Sequence, residues 1–61
     1  MKLKELREKA VLSQRDLAKL SGVAYATIAR LELEKQKPTF VTIRKLAKAL
    51  NVEPNSIEFK Q

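Results

Sequence analysis

The chain has 61 residues with no cysteine and no histidine, which excludes disulfide staples, thiolate metal sites and imidazole chemistry. A domain this small buries only about 60% of the surface its unfolded chain exposes, and a core of this size rarely supplies more than about 3–5 kcal/mol, so well-formed helices or a second copy of the chain must add stability. Thirteen Lys and Arg against seven Asp and Glu give a net charge of +6, which points to an anionic partner: nucleic acid, an acidic membrane surface or an acidic protein.

No apolar run approaches the ~20 residues of a membrane span. The opening MKLKELREK lacks the apolar stretch of a secretory leader. The expected location is cytoplasmic, on the nucleoid in a prokaryote.

The first predicted helix runs from Lys2 to about Ala10, with Leu3, Leu6 and Ala10 at helical spacing. Its apolar stripe is thin, as in a bundle helix with a solvated charged face rather than a helix lying on a membrane. The second opens at Ser13, where SQRD resembles a capping box with Asp16 in the place of Glu or Gln. It closes at Leu20 and Ser21, and Gly22, the only glycine, supplies the left-handed backbone of a tight exit. The third spans about Ala24 to Leu33. The fourth opens after Pro38 with Thr39 as N-cap, and Phe40, Ile43, Leu46, Ala47 and Leu50 recur at three and four as its apolar stripe. Asn51 suits a left-handed helix exit, and Pro54 can start a short fifth helix in PNSIEF. With no strand alternation or internal repeat, the expectation is one compact all-α domain of five short helices over residues 1–61.

The third segment carries the functional signal. At about 100° per residue, Ala24, Ile28 and Leu31 gather on a core face, with Tyr25, Ala26, Ala29, Arg30 and Leu33 opposite. An ordinary solvated face carries Lys and Glu. This one is nearly bare, flanked by one aromatic ring and one guanidinium, and suits close approach to another surface. A DNA major groove, about 12 Å wide, admits such a helix. A helix, a glycine turn and a second helix form a helix-turn-helix, whose second helix enters that groove. Here the core would lie over about residues 13–33, with small Ala18 allowing a close crossing and Val23 plugging the turn. On geometry alone, an ordinary helical hairpin with an alanine-rich face remains the alternative.

The stretch LSQRDLAKLSGVAYATIARLE, Leu12 to Glu32, resembles the phage-repressor/Cro (XRE) helix-turn-helix family. The matching elements are Leu12-Ser13-Gln14, Leu17-Ala18, Gly22-Val23, Thr27-Ile28 and Leu31-Glu32, followed by Lys35, Pro38 and LAKALNV from Leu46 to Val52. The likeness extends from about Leu3 to Ile57. It implies a lambda-repressor-like DNA-binding domain, usually dimeric. By the same resemblance, Tyr25, Ala26 and Arg30 match base-facing positions. Gln14, Thr27, Lys35, Lys37 and Thr39 match phosphate-facing ones, Gln14 also bracing the third helix, and Ser13 sits at the same helix N-terminus, where backbone N–H groups favour phosphate. Arg7 and Glu32 match a structural salt bridge. Lys35 and Lys37 could also be plain solvated charge. Chemically, Arg30 suits a guanine edge and the Ala26 methyl suits a thymine methyl. Tyr25 can bond a base or a phosphate.

Several positions depart from the family. It often has Gly near Val11 and Glu34, and Ser or Thr in place of Ala24, whereas Val is poor at positive φ and Ala caps poorly. The first helix must therefore end differently, or strain must be tolerated. Leu20 and Leu33 are apolar where the family is usually polar, and either can mark a protein contact.

The resemblance therefore implies a sequence-specific transcriptional regulator of double-stranded DNA, a repressor in its simplest form. A homodimer would form through Ile57, Phe59 and the turn from Asn51 to Asn55, and would read two half-sites about one helical turn apart. Alternatively, Ile57 closes the core and Phe59 frays. The competing class is an antitoxin or other protein-interaction module on the same fold, with a toxin or anti-repressor as partner. An enzyme is disfavoured, because the chain has no paired carboxylates and no glycine-rich phosphate loop. No metal or cofactor is expected, and the length leaves no room for an effector domain.

Overall fold

The computed structural model describes residues 1–59. Among these, the chain forms α1 (Leu3–Lys9), α2 (Gln14–Ser21), α3 (Tyr25–Glu32) and α4 (Phe40–Leu50), followed by a 3-10 turn at Pro54–Ser56. The expected fifth helix is therefore a single 3-10 turn. The chain leaves it in extended conformation at Ile57 (φ −90°, ψ 119°). Ile57 drops into the core, and Glu58 then donates its backbone N–H to the Met1 carbonyl at 2.9 Å. A parallel bridge between Lys2 and Glu58 and an ammonium bond from Met1 to the Ser56 carbonyl (3.2 Å) tie the start of the chain to this segment. Backbone committed to that pairing cannot continue a helix.

Most helix starts follow the side chains available. Ser13 caps α2 in a reciprocal box: its hydroxyl accepts from the Asp16 N–H (3.0 Å), and the Asp16 carboxylate accepts from the Ser13 N–H (3.2 Å). Thr39 caps α4 by accepting from the Thr42 N–H at 3.2 Å. Ala24 opens α3 with no side-chain bond at all.

Helix ends show one device repeated. After α1, the Val11 N–H bonds the Glu8 carbonyl and the Leu12 N–H bonds that of Arg7. After α3, Glu34 bonds Leu31 and Lys35 bonds Arg30; after α4, Asn51 bonds Lys48 and Val52 bonds Ala47. These are Schellman closures, each turning on a left-handed residue: Val11 (φ 57°), Glu34 (φ 59°) and Asn51 (φ 57°). The left-handed backbone typical of the family's glycines is thus kept at Val11 and Glu34 without glycine. Gly22 (φ 75°) ends α2 with a single bond from its N–H to the Ala18 carbonyl (2.9 Å). A Cβ built there would meet nothing within 4 Å, so the glycine serves backbone conformation rather than space.

The core sits where α2, α3 and α4 meet. Leu17, Ile28 and Leu46, one from each helix, are fully buried, joined by Leu3, Val23, Leu31, Ala47, Leu50 and Ile57. A fully buried aliphatic side chain of this kind contributes about 1.5–3 kcal/mol relative to leaving it in water. Three expectations about burial change. Ala24 is exposed because it is the N-cap of α3 rather than part of its core face. Phe40, expected in the apolar stripe of α4, is 82% exposed because it occupies the first position of that helix, beyond the edge of the core. Ile57 is only 6% exposed, so it belongs to the protomer's own core and has little surface left for a dimer contact.

Candidate nucleic-acid interface

Two helices joined by a tight turn present the candidate surface. Gly22 reverses the chain after α2, Val23 anchors the turn in the core, and α3 begins at once at Tyr25. Ile28 and Leu31 hold the inner side of α3. Tyr25, Ala26 and Arg30 are exposed on its outer side, while Thr27 and Ala29 are half-buried at the flanks.

A polar brace locks α3 to the rest of the domain. The Arg7 guanidinium on α1 donates to both carboxylate oxygens of Glu32, from Nε to Oε2 at 2.7 Å and from Nη2 to Oε1 at 3.0 Å. Its Nη1 donates to the Leu12 carbonyl at 2.8 Å. The Arg7 and Glu32 side chains are 11% and 4% exposed. Bonding to Glu32, opposed by burial, holds the Arg7 pKa above its already high ordinary value, so the guanidinium stays charged. Gln14 completes the brace, donating from Nε2 to Glu32 Oε1 at 3.1 Å. The amide has a second N–H, which makes no hydrogen bond among the described residues. The bracing contact implied for Gln14 and the ion pair implied for Arg7 and Glu32 are thus both present.

The second-helix N-terminus adds further donors. Of the four backbone N–H groups that a helix start leaves open, the capping box takes those of Ser13 and Asp16, leaving those of Gln14 and Arg15. The Asp16 carboxyl is held below the usual carboxylate range, first by the Ser13 backbone N–H and then by its hydroxyl. Arg7, Ser13, Gln14, Arg15 and Tyr25 line one shallow concavity beside the start of α3.

The remaining expected phosphate-facing residues lie past the end of α3. Lys35 and Lys37 are exposed and, among the described residues, have no ion-pair partner. Lys37 borders a different hollow, with Pro38, Phe40, Ile43 and Phe59. Thr39 is exposed, but its hydroxyl is engaged in capping α4 and in a 3.0 Å bond to the Thr42 hydroxyl.

The carboxylates are unevenly placed. Five of the seven (Glu5, Glu8, Glu32, Glu34 and Glu58) line one hollow, where Lys2 and Lys4 accompany them and Lys2 pairs with Glu34 at 3.7 Å. On the side of Gln14, Tyr25, Ala26 and Arg30 the one carboxylate among these, Glu32, is buried against Arg7 and Gln14, and the nearby Asp16 is bound within its cap. Cationic and neutral donors are therefore what α3 offers to a neighbour.

Sequence reasoning missed two features. Arg15 carries its guanidinium 5.6 Å from the centre of the Tyr25 ring; its place beside Gln14 at the helix start was the available signal. Phe40 and Val41 form an exposed apolar pair at the start of α4, which a three-and-four repeat cannot distinguish from core.

The fold and this surface define a helix-turn-helix domain. A helix-turn-helix family model matches residues 3–57, and the chain belongs to that family in its XRE-type branch. It is similar to the HTH-type transcriptional regulator PuuR of Escherichia coli K12 and to that of Shigella flexneri, with 40% identity to each over 47 residues. The match takes in 77% of this chain and 25% of each relative, so the chain spans about a quarter of their length. It also superposes on the restriction-modification controller protein C.AhdI of Aeromonas hydrophila, with a TM-score of 0.84 and 42% identity over 87% of this chain and 80% of that one. No helix among the described residues is long and apolar enough to cross a membrane.

Proposed function

We propose that this chain is a sequence-specific regulator of transcription that inserts α3 into the major groove of double-stranded DNA and represses by occupying its site. The observation that carries this function is the outer face of α3: small, free of carboxylates, flanked by Tyr25 and Arg30, and locked in orientation by Arg7, Gln14 and Glu32. Arg30 offers two parallel donors to a guanine edge, Ala26 packs on a thymine methyl, and Tyr25 bonds a base or phosphate. Ser13, Gln14, Thr27, Lys35, Lys37 and Thr39 face phosphates, which fixes register without reading sequence. The relatives named above are regulators and a controller protein, which favours the same role here. No catalytic chemistry or cofactor is assigned, and the place of action is the cytoplasm, on the nucleoid.

The active form in this proposal is a homodimer. Its contact moves from Ile57 to Phe40, Val41 and the half-buried Phe59, because Phe40 and Phe59 flank one hollow and Phe40 and Val41 are exposed. Exposed apolar clusters of this kind mark protein contacts.

A second function is favoured by one specific observation: Leu20 and Leu33 are 61% and 65% exposed. Both suit a protein-interaction module, an antitoxin or the target of an anti-repressor, built on the same fold.

Selection of binding sites from a random duplex pool at two salt concentrations tests the proposal. An enriched near-palindrome with half-sites about one turn apart supports the dimeric regulator. Steeply salt-dependent binding without enrichment removes sequence reading and leaves an architectural role. No binding at all favours the protein-interaction function.

A further inference from the structure

Arg15 is exposed at the start of α2, and its guanidinium lies over the ring of Tyr25 at the start of α3, 5.6 Å from the ring centre. Among the described residues no carboxylate pairs with it, so the ring is the contact that orients it. Tyr25 is 47% exposed, and its side chain has no hydrogen bond among the described residues that would hold the phenol in one place. The two residues also line the same concavity, with Arg7, Ser13 and Gln14.

An exposed tyrosine at the first position of a helix samples several rotamers, and ordering it on binding opposes association. A guanidinium packed on its face narrows that choice before binding. Arg is suited to the task because its planar cation stacks on the ring while its edge keeps N–H donors in the plane. α2 and α3 are joined through the Gly22 turn, and the buried Leu17 and Ile28 hold the two helices in the core, so the separation of the two side chains is set by rigid backbone.

We propose that Arg15 is a positioning residue for recognition: it pre-orients Tyr25, and the pair makes its DNA contact as one unit. The assignment rests on the DNA-binding function proposed above. It goes beyond that function in naming a residue outside α3 whose removal alters what α3 reads. Arg15 acts here through Tyr25 rather than as an independent phosphate contact.

The test exploits composition. Tyr25 is the only tyrosine and the chain has no tryptophan, so tyrosine fluorescence anisotropy and near-ultraviolet circular dichroism in the tyrosine band follow this one ring. Wild type, Arg15→Ala, Arg15→Gln, Tyr25→Ala and the double variant Arg15→Ala/Tyr25→Ala are compared. Far-ultraviolet circular dichroism verifies the helices, and Arg15→Gln replaces Arg15→Ala if the latter is misfolded. The DNA probe is the duplex enriched by wild type from a random pool, with a scrambled duplex of equal length beside it.

Without DNA, both Arg15 variants are expected to change the tyrosine signal and lower its anisotropy. On the enriched duplex, Arg15→Ala loses about two- to five-fold in affinity, the equivalent of one exposed cation–π contact. The loss falls to less than about two-fold when Tyr25 is already alanine, because nothing is left to position. An equal loss in both backgrounds, on both duplexes, with an unchanged tyrosine signal and a salt slope reduced by about 1, overturns the proposal and makes Arg15 a plain phosphate contact. Failure of the wild type to enrich or bind any duplex overturns the DNA-binding function itself, and with it any positioning role in recognition.

Discussion

Arg7 and Glu32 are joined across 25 positions of sequence by a two-pronged ion pair, with contacts of 2.7 and 3.0 Å and both side chains largely buried. The same carboxylate accepts from Gln14 Nε2, and the same guanidinium donates to the Leu12 carbonyl. One pair of residues therefore connects α1, the α1–α2 turn, α2 and α3. Removing one partner leaves a buried charge uncompensated, which costs about 3–5 kcal/mol. A core of this size rarely supplies more than about 3–5 kcal/mol, which leaves little margin for that loss. Glu32→Gln is expected to lower the urea midpoint steeply or unfold the chain at 25 °C, read by far-ultraviolet circular dichroism. A change below about 1 kcal/mol would show that the pair orients α3 without stabilising it.

Val11 holds a left-handed backbone (φ 57°) with its side chain 88% exposed. A β-branched residue there is strained, by about 1–2 kcal/mol relative to a residue that tolerates the conformation. It persists because the closure it completes places the Leu12 carbonyl on Arg7. Val11→Asn relieves the strain and loses almost no packing. It is expected to add about 1 kcal/mol, or about 4–8 °C in the thermal midpoint for a domain of this size. A calorimetric midpoint that stays or falls would show that the turn carries no strain.

Ala24 starts α3 with an extended backbone (φ −58°, ψ 140°) and no side-chain cap. A serine hydroxyl at that position can accept from an open N–H of the first turn, which contributes about 0.5–2 kcal/mol. Ala24→Ser is expected to raise the denaturation midpoint by an amount in that range, with the m-value unchanged. Capping acts on the folded state, so DNA affinity at the selected site is expected to change little.

Asp16 contributes through its ionised form. Its folded-state pKa lies below the ordinary value because Ser13 bonds the carboxylate. The proton is thus bound more tightly by the unfolded chain. The contribution is complete above the ordinary carboxyl pKa of about 3.9 and is lost as pH falls through the lower, folded-state value. Urea midpoints measured across the acid range are expected to fall less for Asp16→Asn than for wild type. Parallel curves would remove Asp16 from the acid response.

In the proposed interface, Arg30 and Lys35 are expected to separate reading from attraction. Arg30→Ala is expected to cost about 1–3 kcal/mol on the selected duplex and to relax preference at one base pair. Lys35→Ala is expected to weaken all duplexes alike and to reduce the salt slope by about 1. Equal losses on every sequence for Arg30→Ala would make it a phosphate contact, and an unchanged slope for Lys35→Ala would place it outside the interface.

Local chemistry made much of this protein legible from its residues. Ser13 with Asp16, Thr39, Gly22 and Asn51 mark helix boundaries because each bonds or bends only the backbone beside it, and the structure has all of these boundaries. Ile28 and Leu46 were legible as core because helical spacing alone puts them on inward faces. Elsewhere, long-range packing decided the outcome. Phe40 fits the apolar repeat of α4 yet stands in solvent, because its place at the start of that helix lies beyond the edge of the core. PNSIEF has a proline start but makes one turn, because Ile57 and Glu58 are claimed by the core and by Met1. The left-handed backbone at Val11 and Glu34 opposes local preference and is held by the closures around it. Arg15 over Tyr25 joins residues ten positions apart through the angle between two helices. Boundaries and inward faces follow from interactions within one or two helical turns. The outer surface and the tolerated strain follow from which elements pack together, and that depends on the whole chain.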